Sequence, residues 1–157
     1  MTIIVTLISC RHPANSGENI RDGQSLLQAK QLTIENLNKE LQNLSEGKTE
    51  YDFFGITSNG TDCIYFVRAG DKFVIEFEVM SEEQKDYLDK VKDFAKSINC
   101  NFIITTYNNQ PQYKSDSPAP VIRLETNSTL EKTSEIGFAI QSKIFGNNKE
   151  TVYDIVP

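Results

Sequence analysis

Lys72-Phe-Val-Ile-Glu-Phe-Glu-Val79 alternates apolar and polar side chains and runs directly into Ser81-Glu-Glu-Gln84. The apolar residues at positions 73, 75, 77 and 79 share one face, whereas Glu76 and Glu78 lie on the other and are expected to be solvated. The serine and the glutamine of the second stretch form a capping box, a helix-start signature. The sequence therefore predicts a strand at residues 72–79 followed by a helix at residues 82–98.

Two further strands precede this stretch. Residues 51–57 and 61–68 are rich in aromatic and β-branched side chains and flank Ser58-Asn59-Gly60. An Asn-Gly pair between two such segments is the strongest short-range signal for a β-hairpin. Ala69-Gly70-Asp71 then turns the chain into the strand at 72–79, so we expect a three-stranded antiparallel meander.

A long helix with a narrow apolar seam is predicted at residues 24–45. Gly47 is placed to end it. We expect the seam to dock on the protein's own sheet, because amphipathic helices usually cover their own core. The alternative is pairing with the same helix of a second copy. The seam consists of Leu27, Ile34, Leu37, Leu41 and Leu44.

The C-terminal third has two interpretations. Strands at residues 101–107 and 120–126 enclose a polar loop at 108–119. Ser128-Thr-Leu-Glu131 is a second capping box and favours a helix toward Gly146. However, apolar residues also alternate between positions 138 and 144, which would permit a hairpin with residues 151–156 instead.

The N-terminal residues 2–9 form a short apolar run typical of a buried strand, and residues 10–23 are typical of a loop. Leu7-Ile-Ser-Cys10 has the residue types of a bacterial lipoprotein cleavage box. Only nine residues precede this cysteine, and none is lysine or arginine, unlike an export signal. Three cysteines cannot all pair within one chain, and none lies in a Cys-x-x-Cys arrangement, so we expect a reducing, cytoplasmic environment.

The elements together predict a single α+β domain over residues 1–157. One antiparallel sheet, mixed at most, is covered by two or three helices in the order β-α-β-β-β-α-β-β, followed by a helix or a hairpin. From residue 24 to about residue 145, this element order resembles that of the small acidic chaperones of type III secretion. The resemblance implies an effector-binding homodimer.

The charge of the chain restricts its partners. Its formal net charge is −6, which repels nucleic-acid phosphates and anionic lipid headgroups. We therefore expect neither nucleic acid nor a membrane surface as a partner. An acidic protein can instead attract a basic protein at low ionic strength.

No sequence motif for catalysis, metal or cofactor binding is recognisable. His12 is the only histidine, which removes most zinc sites. A small enzyme or ligand-binding protein that uses Cys10 and His12 is an alternative, although a lone Cys-x-His pair is weak evidence. Five aromatic residues could form a base-stacking face but are expected to lie in the core: Phe53, Tyr65, Phe73, Phe77 and Tyr107.

The function predicted from the sequence is therefore that of a non-catalytic, cytoplasmic protein-binding domain without a cofactor. An inhibitor or immunity-type protein that neutralises a basic partner is favoured over a secretion chaperone. It is also favoured over a homodimeric structural module paired through the helix seam or an exposed strand edge. The expected binding surface is the acidic face of the second helix, joined by a tyrosine of the polar loop. It comprises Glu82, Glu83, Asp86, Asp89, Asp93 and Tyr113.

Overall fold

The computed structural model describes residues 30–106 and 118–157, which form one seven-stranded antiparallel sheet and three α-helices. The predicted α+β class is confirmed. The strand predicted at 2–9 and the loop at 10–23 lie outside the described residues, as does most of the polar loop. The strands are β1 Gln31–Thr33, β2 Phe53–Thr57, β3 Ile64–Ala69, β4 Lys72–Glu78, β5 Asn101–Thr106, β6 Pro120–Ser128 and β7 Val152–Val156. The helices are α1 Leu37–Ser45, α2 Lys85–Ser97 and α3 Leu130–Lys143.

The predicted meander forms the middle of the sheet. β3 pairs antiparallel with β2 on one side and with β4 on the other, with Phe66 opposite both Phe54 and Ile75. Gly60 lies in the β2–β3 loop at a φ of +86°, a conformation that glycine adopts without steric cost. The Asn-Gly hairpin signal is therefore confirmed.

The remaining strands extend the sheet at both edges, which gives the order β1-β7-β2-β3-β4-β6-β5. The C-terminal strand β7 lies between β1 and β2, where Tyr153 is opposite Leu32 and Ile155 is opposite Ile56. At the other edge, β5 pairs with β6. Ile104 of β5 remains about half exposed there.

The first helix is shorter than predicted. Residues 31–33 form β1, a short 3₁₀ turn follows at Ile34–Asn36, and α1 begins only at Leu37. The prediction is wrong at this end because Leu32 is buried in a strand pairing with Tyr153, a contact from far along the chain. The described part of the apolar seam is buried in the protein's own core, as expected. Pairing of two copies through that seam is therefore not available, and a homodimer through a strand edge stays a prediction.

The C-terminal third combines parts of both interpretations. The helix α3 is confirmed, and the hairpin strand at 138–144 is wrong. Residues 152–156 do form a strand, but its partners are β1 and β2. The helix start is shifted by one residue from the predicted capping box, because Ser128 still belongs to β6. The Thr129 side chain accepts from the backbone N–H of Lys132 at 3.4 Å instead.

The core lies between one face of the sheet and the helices. Apolar side chains of all three helices belong to the same buried cluster as the sheet residues Phe66, Phe77 and Leu124. Gly137 of α3 lies directly on the Phe66 ring, and a Cβ there would come within 2.6 Å of Cζ. The close approach of α3 to β3 therefore depends on this glycine.

The opposite face of the sheet is less solvated than predicted. Glu76 is 6% exposed and accepts an ion-paired hydrogen bond of 2.8 Å from Arg123 of the neighbouring strand. It is buried because β4 has a paired strand on each side. Phe53 and Tyr65 also lie on this face, half buried, with ring centroids 6.2 Å apart. The prediction of core positions is thus confirmed for Phe73 and Phe77 and wrong for these two rings; Tyr107 lies outside the described residues.

Candidate functional site

A buried carboxylate organises the loop between β2 and β3. Oδ1 of Asp62 accepts hydrogen bonds from the Thr57 hydroxyl at 2.7 Å and from the backbone N–H groups of Ser58 and Asn59 at 2.9 and 3.3 Å. Oδ2 accepts from the Ser58 hydroxyl at 2.5 Å and from the Asn147 side-chain amide at 2.7 Å. The carboxylate is therefore held by donors from both the loop and the segment after α3.

These hydrogen bonds keep Asp62 ionised although the residue is completely buried. Burial alone would raise its pKa, but the bonds from Ser58, Thr57 and Asn147 outweigh burial, and the pKa lies below its ordinary value. No lysine or arginine within residues 30–106 and 118–157 forms an ion pair with it. The loop thus contains a buried negative charge that is satisfied by neutral donors.

Gln84 connects the same loop to the start of α2 through hydrogen bonds. Its Oε1 accepts from the backbone N–H groups of Met80 and Ser81 at 2.8 and 3.0 Å. Its Nε2 donates to the carbonyl oxygens of Gly60 and Thr61 at 3.3 and 3.2 Å. The glutamine half of the predicted capping box is therefore formed, but α2 begins at Lys85 and not at residue 82 as predicted. The same glutamine side chain also holds the hairpin loop.

Gln141 and Tyr153 complete the buried support. Gln141 is fully buried, donates to the backbone carbonyl of Asp62 at 2.9 Å and accepts from Asn147 at 2.8 Å. The Tyr153 hydroxyl is buried near Asn147 and Thr151 without a hydrogen bond of regular geometry to any described residue. Burial, together with the negative charge of Asp62, raises the pKa of Tyr153 to about 12. Tyr153 therefore remains a neutral phenol beneath the loop.

An open groove of about 390 Å³ lies beside this support, and we call it the acidic groove. The rings of Tyr87 and Phe145 lie against each other at its wall, with centroids 4.9 Å apart. Lys90 places its Nζ 4.5 Å from the centroid of the Tyr87 ring. Two carboxylates of the predicted binding surface face the same space. The groove is lined by Asn59, Thr61, Asp62, Glu83, Asp86, Tyr87, Lys90 and Phe145.

Glu83 and Asp86 are the two predicted surface residues that the fold brings together at the groove. Glu83 accepts a hydrogen bond from the Thr61 hydroxyl at 3.2 Å. In the described part of the chain, neither carboxylate has an ion-pair partner. Asp86 also lies in the first turn of α2, where a negative charge is favourable to the helix dipole.

The other three acidic residues are neutralised along the helix. Glu82 pairs with Lys85 at 2.8 Å, Asp93 pairs with Lys96 at 3.1 Å, and Asp89 pairs with Lys92. The hydrogen bond and the charge of Lys92 hold the pKa of Asp89 below its ordinary value. Of the five predicted acidic residues, the two that line the groove are therefore unpaired among the described residues, and the three that do not line it are paired.

The other predicted site residues lie outside the described residues, and the two described cysteines, which were not predicted to belong to a site, are unsuited to nucleophilic chemistry. Tyr113, Cys10 and His12 lie outside. Cys63 is buried, and burial together with the charge of Glu125 raises the pKa of the Cys100 thiol, which disfavours the thiolate. Among the residues with described positions, no cluster of three or more His, Cys, Asp and Glu side chains is arranged to hold a metal. None of the helices described is long and apolar enough to cross a membrane.

Sequence reasoning missed four residues on which the site depends: Asp62, Tyr87 and Phe145 of the aromatic wall, and Lys90 as a ring-bound cation. The sequence did contain a signal for Asp62. Asp62 follows Thr57-Ser58-Asn59 closely, and aspartate, asparagine, serine and threonine side chains commonly form hydrogen bonds with the backbone within turns. Phe145 gave no comparable signal, since only the fold brings it to Tyr87.

Comparison of the chain with protein families, with characterised proteins and with solved structures gives no match. The resemblance in element order to secretion chaperones therefore remains an expectation. The acidic groove and the helix beside it are the features of the described residues that bear on function.

Proposed function

We propose that this chain is a non-catalytic, cytoplasmic protein-binding domain of the inhibitor or immunity type. It binds and neutralises a basic protein partner through the surface at the N-terminal end of α2, where Glu83 and Asp86 line the groove. The observation that carries the proposal is that the carboxylates at the groove are unpaired, whereas their neighbours are paired. Glu83 and Asp86 face an open groove without a paired lysine among the described residues. The three other acidic residues are each neutralised by a lysine three residues later: Glu82, Asp89 and Asp93.

Electrostatic steering explains why this arrangement suits a basic partner. Unpaired carboxylates on a chain of net charge −6 raise the association rate of a positively charged protein, and this effect weakens as salt screens it. The buried charge of Asp62 adds to the negative potential of the groove without being exposed itself. The groove also offers two aromatic rings, which are common anchors in protein interfaces.

Affinity capture with matched charge variants tests the proposal. The tagged protein is incubated with extract of its own cells at low and high salt, and bound proteins are identified by mass spectrometry. We expect a stoichiometric basic partner with the wild type, which is lost at high salt. The Asp86→Lys/Glu83→Lys double variant should lose that partner at all salt concentrations.

A second double variant, Asp71→Lys/Glu150→Lys, carries the same net charge change at two exposed positions that do not line the groove. It should retain the partner. Capture of the same proteins by both double variants, or of none by the wild type, would contradict the proposal.

A further inference from the structure

The acidic groove combines aromatic rings with carboxylates, and this combination binds cations. The Tyr87 and Phe145 rings form a continuous wall, because their centroids lie 4.9 Å apart. Phe145 is itself supported from behind by Phe77, with centroids 5.8 Å apart. Aromatic faces attract ammonium and guanidinium groups through their quadrupole, most strongly where the cation is partly desolvated.

A cation of the protein itself, the Lys90 ammonium group, already lies against this aromatic wall. Its Nζ lies 4.5 Å from the Tyr87 ring centroid. No described carboxylate forms an ion pair with it, although Asp86 lies one helical turn away. An exposed lysine in such a position gains little, since its side-chain entropy is lost for one weak contact. A partner's cation could therefore displace it at small cost.

The buried negative charge of Asp62 adds to the attraction of the groove for cations, beyond that of the surface carboxylates Glu83 and Asp86. All of its close contacts are with neutral donors, so its negative charge is not cancelled by any cation among the residues described. Buried charges are usually paired, because an isolated charge in a low-dielectric interior is costly. A cation held at the mouth of the groove would lie in the field of Asp62 and be stabilised by it.

We propose that the acidic groove is the anchor site for one arginine side chain of the partner. The guanidinium would stack on the wall of Tyr87 and Phe145 and donate to the carboxylates of Glu83 and Asp86, while Lys90 moves off the ring. Arginine fits better than lysine, because its planar group stacks on aromatic faces, is weakly hydrated and bonds carboxylates in a bidentate fashion. This inference rests on the proposed function and identifies the partner chemistry at that site.

Titration with a single-residue probe tests the anchor without the partner. The probe is N-acetylarginine methylamide, followed by ¹⁵N-¹H NMR spectra of the full chain. The citrulline analogue serves as a neutral control of the same shape, and the lysine analogue serves as a second cation. We expect saturable shifts centred on Tyr87 and Phe145 with a dissociation constant on the order of millimolar. The lysine probe should bind several-fold more weakly, and the citrulline probe should give no saturable shifts.

Variants distinguish a built site from general attraction to negative charge. Asp86→Asn should weaken probe binding by about 3–10-fold, whereas Asp93→Asn, the same change on the same helix outside the groove, should alter it by less than about 2-fold. Lys90→Met should strengthen binding by about 2–5-fold, because it frees the Tyr87 ring and removes a competing positive charge. A gain of binding is not expected from a residue with only a structural role.

Three results would each contradict the anchor site. The citrulline probe would bind as tightly as the arginine probe. Asp86→Asn and Asp93→Asn would weaken binding of the arginine probe equally, or Lys90→Met would not strengthen it. Equal binding of the lysine probe would overturn the assignment to arginine. If the captured basic partner bound Asp86→Asn and Lys90→Met with wild-type affinity, the anchor would fail while the proposed function stood. If the arginine probe bound saturably but no partner was captured, the anchor site would stand and the proposed function would fail.

Discussion

The side-chain amide of Asn147 donates a hydrogen bond of 2.7 Å to Oδ2 of Asp62, although the two residues are 85 positions apart. Asn147 follows α3, and Asp62 lies in the loop between β2 and β3. The same amide also donates to Oε1 of Gln141 at 2.8 Å. One buried carboxylate therefore ties the C-terminal helix to the hairpin that forms one wall of the groove.

Replacement of Asp62 should destabilise the fold. Asp62→Ala would leave the buried Thr57 hydroxyl without its acceptor and would remove one of the two acceptors of the partly buried Asn147 amide. We expect the free energy of unfolding to fall by about 3 kcal/mol, as when a buried hydrogen-bond cluster loses its central group. Urea denaturation measures the change. Asp71→Ala, at an exposed turn, is the control and should stay within about 0.5 kcal/mol of wild type; a similar value for both variants would contradict the assigned role.

The pH dependence of stability should report the same group. In the folded state the pKa of Asp62 lies below its ordinary value, which is about 3.9 in an unfolded chain. Its stabilising contribution is therefore complete above about pH 4 and is lost as the pH falls through the folded-state pKa. Between about pH 4 and pH 2, the free energy of unfolding of Asp62→Asn should fall less steeply than that of the wild type. Parallel curves from urea denaturation across this range would show that the folded-state pKa is not lowered.

Gly137→Ala should be destabilising although alanine favours helices. The added Cβ would meet the Phe66 ring at 2.6 and 2.8 Å. We expect a net loss of about 1–3 kcal/mol, because the overpacking of α3 against β3 exceeds the gain in helix propensity of about 1 kcal/mol. Thermal unfolding of Ser134→Ala, in the same helix, is the control and should show no loss. If Phe66→Leu makes room, the Gly137→Ala change should cost less in that background than in the wild type.

Gln84→Glu should weaken the connection between the hairpin loop and α2. The substitution replaces the donor Nε2 with an oxygen that faces the carbonyl groups of Gly60 and Thr61. We expect a loss of about 2–4 kcal/mol at neutral pH. Part of this loss should be recovered near pH 4, where a protonated carboxyl can donate again. A loss that is equal at both pH values would contradict repulsion as its cause.

The parts of the fold that follow from local pattern were predictable. The alternation at 72–79 and the Asn-Gly turn specify the meander through neighbouring residues alone. The short strand β1 was missed because its formation depends on Tyr153, which lies far along the chain. The shift of the α3 cap from Ser128 to Thr129 has the same origin, since β6 pairing extends through Ser128.

The candidate site was predictable in part, for the same reason. The acidic residues of α2 are visible in the sequence, and Glu83 and Asp86 do line the groove. Which of them is neutralised depends on the geometry of the lysine side chains, and Glu82, Asp89 and Asp93 are each paired with a lysine three residues later. The aromatic wall depends on Phe145 reaching Tyr87, a long-range contact that has no periodic signature.

The association rate of the captured partner, measured by stopped flow at about 20 and about 200 mM salt, is the measurement to make on the proposed interface. For the wild type we expect the rate constant to be at least about 10-fold higher at low salt. Asp86→Lys/Glu83→Lys should associate about 10-fold more slowly at low salt and with a weaker salt dependence, whereas Asp71→Lys/Glu150→Lys should stay close to the wild type. Equal rates for the two double variants at low salt would contradict a binding surface at the acidic groove.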